Sequence, residues 1–202
     1  FGVGLALEQN NEVCSAIKGS NFEVASHGYR WIDYQYIDQK TEEDHIIKCN
    51  ETIKNIFGYY PSGWYTGRTS PNTRNLVLKN TQIIYDSDSY SDDLPYWINN
   101  NNKRHLVIPY TLDNNDMRFT TAQGFNTGDD FYTYLKDSFD TLYREANKTG
   151  SSRMMSIGLH CRIIGRPGRF KSLVRFLNYI DQFKDIWVCK RKDIADFWYD
   201  KF

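Results

Sequence analysis

Apolar positions along the chain alternate between helical spacing and short runs typical of strands. The helical spacing predicts helices over residues 3–17, 41–57, 72–80, 128–147, 170–183 and 193–198. The short runs predict strands over residues 22–26, 64–66, 82–86, 105–111, 154–159 and 186–189. Asn99–Asn102 is predicted to be a polar loop. Strand–helix units that repeat in this way predict an α/β fold with parallel strands and right-handed crossovers.

Two of the predicted helices carry end signals. Thr127 precedes the helix over 128–147, and Asp129 and Asp130 stand in its first turn, where the helix dipole favours acidic side chains. In the helix over 41–57, Thr41-Glu42-Glu43-Asp44 predicts a capping box at the start. Gly58 is expected to end that helix.

The alternation is compatible with an open doubly wound sheet or with a (β/α) barrel. A length of 202 residues suits one sizeable core. We therefore expect a single domain over residues 1–202. Because the first residue is not Met and the chain opens within an apolar stretch, we also expect that an N-terminal part, including a first strand, is missing. In both folds, ligands bind at the carboxyl ends of the strands.

Charge and composition exclude some partners. Lys+Arg and Asp+Glu both number 25, so the chain lacks the basic surplus that binding to nucleic acid or anionic membranes requires. No apolar run approaches the roughly 18–20 residues of a membrane span. The four cysteines form no CxxC pair and are expected to be buried free thiols. With no basic residue in Phe1–Ala6 to suggest a signal peptide, we expect a cytoplasmic protein.

Polar and aromatic side chains follow five of the predicted strands. The candidates at these ends are His27, Trp31, Arg68, Asp86, Asp88, Trp97, Asp116 and His160. Each has a structural alternative: a lone histidine is often a hydrogen-bonded structural residue, Arg68 can form a surface ion pair, the aspartates can form turns, and Trp97 can pack in the core. His45 and His105 are expected to be structural. The joint position of the candidates at the strand ends favours a functional site.

Several longer segments resemble one family. Ser-His-Gly-Tyr-Arg-Trp-Ile-Asp-Tyr at 26–34, Gly-Trp-Tyr-Thr-Gly-Arg-Thr-Ser-Pro-Asn-Thr-Arg at 63–74, Tyr-Asp-Ser-Asp at 85–88 and Gly-Leu-His-Cys-Arg at 158–162 resemble the polysaccharide deacetylase family, also called the nodulation-factor deacetylase homology family. Within it, they are similar to the cofactor-independent allantoinase branch. The resemblance implies a distorted (β/α) barrel, hydrolysis of an amide (an N-acetyl group or the hydantoin ring of allantoin) and a homo-oligomer.

One position departs from the sugar deacetylases of this family. Those enzymes bind a divalent metal through a first-strand Asp and two histidines spaced His-x-x-x-His. Here Trp31 follows His27 at that spacing, and an indole nitrogen is only a donor, so it cannot bind a metal. The first-strand carboxylate is expected to precede Phe1. We therefore predict that the protein uses no metal and no other cofactor.

Ring opening of a hydantoin requires an activated water, a stabilised oxyanion and a proton for the leaving nitrogen. His160 is predicted to be the acid or base, and His27 its partner or the oxyanion donor. For a small allantoin-like substrate, Arg68 is expected to bind a carbonyl with its forked donors.

Further substrate contacts are predicted from flat or polar side chains. Trp31 and Trp97 are expected to form walls for a planar ring. Asp88 is expected to orient a histidine or accept from a substrate N–H, and Asn126 and Asp129 are weaker substrate-binding candidates.

Two other functions stay open. The first is a metal-dependent N-deacetylase of chitin or peptidoglycan, which Trp31 argues against. The second is a non-catalytic remnant of the barrel, because loss of a first strand exposes sheet edges and deletes a site group.

Overall fold

The structure is a computed structural model that describes residues 1–100 and 103–202. Its helices, in chain order, are α1 Gly4–Glu8, α2 Asn11–Gly19, α3 Gln39–Phe57, α4 Thr73–Asn80, α5 Gly128–Thr149, α6 Cys161–Ile164, α7 Pro167–Ile180 and α8 Arg191–Lys201. Its strands are β1 Gly63–Trp64, β2 Tyr85–Asp86, β3 Tyr96–Asn100 and β4 Lys103–Val107. Short 3-10 helices cover Tyr34–Tyr36 and Asp116–Thr120.

The chain divides into two compact units. The first contains residues 1–89, 95–109 and 189–202, and the second contains residues 90–94 and 110–188. The assignment of residues 1–202 to one catalytic domain stays a prediction.

The sheet of the first unit has the strand order β1-β2-β4-β3. β1, β2 and β4 pair in parallel, with Trp64 opposite Asp86 and Asp86 opposite Val107. β3 pairs antiparallel with β4. The predicted α/β fold with parallel strands is therefore confirmed, and closure of the strands into a barrel stays a prediction.

Two apolar clusters form the core of the first unit. α1, α2 and α3 enclose Leu7, Cys14, Val24, Tyr29, Cys49 and Ile53. The side of α3 that carries Ile46 packs with Trp64 of β1 and with Leu76, Val77 and Ile83. Full burial of one such aliphatic side chain contributes about 1.5–3 kcal/mol.

The second unit is built around α5 and α7. The side chain of Thr127 accepts from the amide of Asp130, and the reciprocal bond completes a capping box, so the predicted start of α5 is confirmed. Phe131 and Leu135 of α5 are fully buried, and they pack with Leu173 and Phe176 of α7. α7 begins at Pro167 rather than at the predicted 170, since proline suits the first turn of a helix.

The start of α3 differs from the prediction, whereas its end agrees with it. α3 begins at Gln39 because Asp38 is its cap: the Asp38 carboxylate accepts from the amide and the hydroxyl of Thr41 at 2.9 and 2.7 Å. The capping box predicted at Thr41 is therefore wrong, while Gly58 does end the helix, with φ 87°. The single helix predicted over residues 3–17 is two helices, α1 and α2, divided at Gln9 and Asn10.

Several predicted strands are reduced to single bridges or absent. Residue Ser26 alone bridges Gly2 and Trp64, and Gly158 alone bridges Asn115. Residues 186–189 form no strand within the described chain. β3 was missed because Asn99 and Asn100 suggested a loop, whereas both pair with β4. Asn101 and Asn102 of that predicted loop lie outside the described residues.

The cysteines are free, as expected. Cys14 and Cys49 are buried, but Cys161 is exposed and Cys189 is only half-buried, so the expectation of burial is wrong for Cys161 and Cys189. Across residues 1–100 and 103–202, none of the helices combines the length and the apolar character needed to cross a membrane.

A buried polar cluster connects the strands of the first unit with α4. Asp86 of β2, 2% exposed, accepts two hydrogen bonds from Arg74 of α4, at 2.8 and 3.0 Å, and one from Nε2 of His105 on β4, at 2.9 Å. Burial opposes ionisation of Asp86, but the bonds from His105 and Arg74 outweigh it and lower its pKa. His105 thus has the structural role that was expected of it.

Replacing Asp86 is expected to destabilise the protein strongly. In Asp86→Asn, the charge that pairs with Arg74 is lost and a buried partner is left unsatisfied, so the free energy of unfolding should fall by about 3 kcal/mol or more. Urea denaturation followed by circular dichroism measures it. Asp44→Asn is the control, because Asp44 pairs with Lys40 only at the exposed surface and should change little. A loss below about 1 kcal/mol in Asp86→Asn contradicts the role given to this cluster.

Candidate functional site

His27 is held in one ring orientation by the backbone. It follows Ser26, whose bridges to Gly2 and Trp64 fix the chain on both sides. Its Nδ1 lies 2.5 Å from the carbonyl oxygen of Tyr65, and its ring stacks on the Tyr65 ring at 5.3 Å. Because a carbonyl oxygen only accepts, Nδ1 carries the proton of this bond. In the neutral imidazole, Nε2 is then the atom with a lone pair, which can accept a proton.

Trp31 and Arg68 come together in the first unit, and their substrate-binding roles stay predictions. The Arg68 guanidinium carbon lies 4.2 Å from the centre of the indole of Trp31, which is 49% exposed. The amide of Tyr34 donates to the Arg68 carbonyl at 3.1 Å and so ties the two loops together. This arrangement is a cation–π pair in which the indole stays half-exposed.

The Asp88 carboxylate contacts the turn that carries Arg68. One carboxylate oxygen accepts from the amides of Gly67 and Thr66, and the other from the Trp64 indole, at 2.7, 3.0 and 2.9 Å respectively. Burial raises the pKa of Asp88 to about 6, with a further increase from the neighbouring Asp86 carboxylate, although the bonds from these donors act in the opposite direction.

A cavity of about 140 Å³ in the first unit adjoins Asp88. It is lined by Trp64, Thr69, Ser70, Pro71, Arg74, Val77, Asp86 and Asp88. The turn before α4 that forms one wall is fixed by Glu42, which is 1% exposed and accepts from the hydroxyls of Ser70 and Thr73.

Trp97 has the contacts of a packed residue. It lies on β3, with the Arg104 guanidinium carbon 3.8 Å from its ring centre and the Tyr199 ring of α8 edge-on at 4.8 Å. Its Nε1 is buried and has no hydrogen-bond partner among the described residues. These contacts give Trp97 a structural role in packing. Its role as a wall of the substrate site stays a prediction.

In the second unit, His160 forms a pair with Asp116, and this pairing was not predicted from the sequence. Nδ1 of His160 donates to Oδ1 of Asp116 at 2.6 Å, while Oδ2 accepts from the amides of His160 and Ile164, at 2.8 and 3.1 Å. Asp116 is fully buried and the His160 side chain is 27% exposed. The aspartate therefore fixes the imidazole so that Nε2 is its accepting atom.

The only signal for Asp116 in the sequence was its place just after the strand predicted over 105–111. Its pairing with His160 spans 44 positions and requires the bridge between Asn115 and Gly158. Gly158 permits this bridge because a Cβ there would lie 2.3 Å from Nδ2 of Asn115.

Asn126 and Asp129 lie at the start of α5. The amide of exposed Asn126 donates to the Asp130 carboxylate at 3.0 Å, as part of the helix cap. Asp129 pairs with Arg175. These contacts stabilise the helix start, and the substrate roles of both residues stay predictions.

The donor set does not fit the metal that the resemblance associates with sugar deacetylases. Trp31 stands where the second imidazole would be, and its indole is covered by Arg68. Within residues 1–100 and 103–202, no group of three or more His, Cys, Asp or Glu side chains has a metal-binding arrangement.

Comparisons with known proteins identify the family. The polysaccharide deacetylase family model matches residues 1–86. A "putative polysaccharide deacetylase" of Schizosaccharomyces pombe is 41% identical over 214 residues, an alignment that covers 98% of this chain and 67% of the relative.

Two solved structures are similar over 100% of this chain and 67% of their own, each with a TM-score of 0.95. One is a "probable polysaccharide deacetylase" from Pseudomonas aeruginosa PAO1, at 50% identity, and the other is Puue allantoinase, at 51% identity. The chain belongs to the polysaccharide deacetylase family of hydrolases and has the mixed α/β fold of that family's solved structures.

Proposed function

We propose that the protein is an allantoinase, which opens the hydantoin ring of allantoin by metal-independent hydrolysis of a C–N bond. The observation that carries this proposal is the 51% identity to Puue allantoinase across the whole chain. The replacement of a metal-binding imidazole by Trp31 supports it, since the proposed reaction needs no metal.

The His160–Asp116 pair is suited to acid–base chemistry. With Nδ1–H held by Asp116, Nε2 can take a proton from a water as its oxygen attacks the ring carbonyl. The imidazolium that forms is stabilised by the buried carboxylate, and the same proton can pass to the ring nitrogen as the C–N bond breaks. The proton taken from water thus leaves on the product, and the imidazole returns to its neutral form.

The first unit supplies groups suited to recognition. Arg68 presents forked N–H donors that match a carbonyl or ureido oxygen, and the flat, half-exposed indole of Trp31 is a surface suited to a planar ring. His27 is fixed by Tyr65 with Nε2 as its accepting atom, so it can accept a substrate N–H or, once protonated, donate to a developing oxyanion.

A metal-dependent deacetylase of polysaccharides is the second candidate function. The names of the relatives from Schizosaccharomyces pombe and Pseudomonas aeruginosa favour it. It requires a metal site, which the described donor set does not fit. Release of acetate from acetylated glucosamine oligomers, without turnover of allantoin, would favour this candidate.

The first prediction concerns the reaction and the metal. The protein, purified at its natural full length, should convert allantoin to allantoate at a rate that exhaustive chelation leaves unchanged, because imidazole rather than a metal activates the water. Product formation is measured before and after chelation. A known zinc hydrolase treated in parallel is the control. Activity that is lost on chelation and restored by zinc would overturn the metal-independent mechanism.

The second prediction concerns His160. Its replacement in His160→Ala should lower turnover of allantoin by about 100-fold or more, the usual contribution of a general acid–base group. Cys161→Ser is the matched control, because Cys161 is the exposed neighbour and should leave turnover close to normal. Near-normal turnover in His160→Ala would exclude the acid–base role.

The third prediction concerns the tautomer that Asp116 imposes. In Asp116→Asn, the amide oxygen must face the two backbone amides that Oδ2 now accepts from, so the NH₂ group faces Nδ1 of His160. This arrangement makes Nδ1 the acceptor and moves the proton of the neutral ring to Nε2. Turnover should therefore fall although the fold is kept.

Nitrogen-15 NMR of the histidine side chains reports the tautomer directly, and circular dichroism checks the fold. Asp137→Asn, on the exposed surface of α5, is the control and should change neither tautomer nor turnover. A folded Asp116→Asn protein in which the proton stays on Nδ1 contradicts the assignment.

A further inference from the structure

The turn that carries Arg68 is held by a side chain from another part of the first unit. Thr66 and Gly67 are the two residues before Arg68. Their backbone amides donate to the same carboxylate oxygen of Asp88. Gly67 adopts φ 64°, a left-handed conformation that glycine adopts without strain. The turn therefore has a defined shape, and Asp88 is the acceptor that satisfies its amides.

Asp88 is itself anchored to the buried cluster around Asp86. Its amide donates to Oδ1 of Asp86 at 3.0 Å, and its carbonyl accepts from Nη2 of Arg74 at 3.3 Å. Its second carboxylate oxygen accepts from the indole of buried Trp64. The position of this carboxylate is thus set by three elements, β1, β2 and α4.

We propose that Asp88 is a positioning residue for substrate recognition, whose carboxylate holds the Thr66–Arg68 turn and thereby keeps the Arg68 guanidinium over Trp31. This inference rests on the proposed function, which assigns Arg68 and Trp31 to the substrate. It differs from the direct substrate contact expected of Asp88, because its oxygens already accept from protein donors. A carboxylate suits this role, since one oxygen serves two amides while the other serves the indole.

The protonation state of Asp88 gives the arrangement a pH dependence. Among the described residues, Asp86 and Arg74 are charged groups that face Asp88. Since burial raises its pKa to about 6, Asp88 takes up a proton as the pH falls through this value. A protonated oxygen becomes a donor and no longer accepts fully from its present partners, so the turn loses support below about pH 6.

Protonation of Asp88 weakens the turn, but it has the opposite effect on the global stability of the protein. A carboxyl group whose pKa is higher in the folded protein than the ordinary 3.8 favours folding most at low pH, and this contribution is lost as the pH rises through about 6. Ionised Asp88 therefore orders the recognition turn at some expense of global stability, which separates a positioning role from a merely stabilising one.

The experiment uses the full protein labelled with 5-fluorotryptophan, in which the fluorine resonance of Trp31 reports the contact with Arg68. The resonance is assigned with Trp31→Phe, and Arg68→Ala gives its position without the guanidinium. Asp88→Asn should move the resonance towards that of Arg68→Ala at pH 8, whereas the control Asp93→Asn, at an exposed position later in the chain, should not. A resonance unchanged in folded Asp88→Asn overturns the proposal.

A second measurement does not depend on any variant of Asp88. In the unaltered protein, the Trp31 resonance should titrate with a midpoint near pH 6, and Arg68→Ala should abolish the titration. His27→Gln serves to exclude the nearby imidazole and should leave the midpoint in place. A Trp31 resonance that does not titrate between pH 4 and 8 also overturns the proposal.

Kinetics with allantoin tests the consequence for recognition. Asp88→Asn should raise KM about tenfold, as expected when one charge-assisted contact is weakened, and should leave kcat nearly unchanged. A fall in kcat at constant KM contradicts a positioning role in recognition. Because the fluorine measurements need no substrate, failure of the protein to hydrolyse allantoin would reject the proposed function without deciding the role of Asp88.

Discussion

The buried carboxylate of Asp86 determines how the elements of the first unit are arranged. An ionised group at 2% exposure is tolerated only when partners compensate for the water it has lost. Those partners come from α4 and β4, through Arg74 and His105, and from the amide of Asp88. The helix, the neighbouring strand and the loop after β2 are therefore positioned by one group. Any shift of one of them leaves a charge or a polar hydrogen without a partner.

The two units contain the same chemical pair in different surroundings. His105 and Asp86 lie 2.9 Å apart, with side chains 4% and 3% exposed, while His160 and Asp116 lie 2.6 Å apart, with His160 27% exposed. A reacting histidine needs one nitrogen fixed by the protein and the other accessible to substrate. Burial denies His105 such access, so its bond stabilises the fold. The exposure of His160, rather than the pairing itself, is what makes it a candidate for chemistry.

The parts of the structure that were predicted from sequence are those determined by local interactions. Thr127 caps α5 through an amide three residues away, and Gly58 ends α3 because the backbone there turns left-handed. Strand β3 was missed because its antiparallel pairing with β4 overrides the loop propensity of Asn99 and Asn100.

The candidate site was predicted in part for the same reason. Two separate motifs in the sequence each placed one of the stacked residues, Arg68 and Trp31, at a strand end. The pairings of Asp116 with His160 and of Tyr65 with His27 were not predicted, because they span 44 and 38 positions. Hydrogen bonds between residues so far apart depend on the complete backbone arrangement, which neither spacing nor composition specifies.

Asp86 and Asp88 of the first unit differ in the balance between burial and hydrogen bonding. At Asp86, bonds from a guanidinium and an imidazole outweigh burial, so the pKa is lowered and the group is ionised throughout the ordinary pH range. At Asp88, the donors are two amides and an indole, none of which carries a positive charge, and Asp86 stands close by. Burial therefore prevails there and the pKa rises.

A carboxylate stabilised by neutral donors alone can be neutralised under mild conditions, whereas one paired with cations cannot. The rigid part of the first unit accordingly depends on Asp86. The turn that carries Arg68 depends on Asp88, whose charge is easier to remove than that of Asp86.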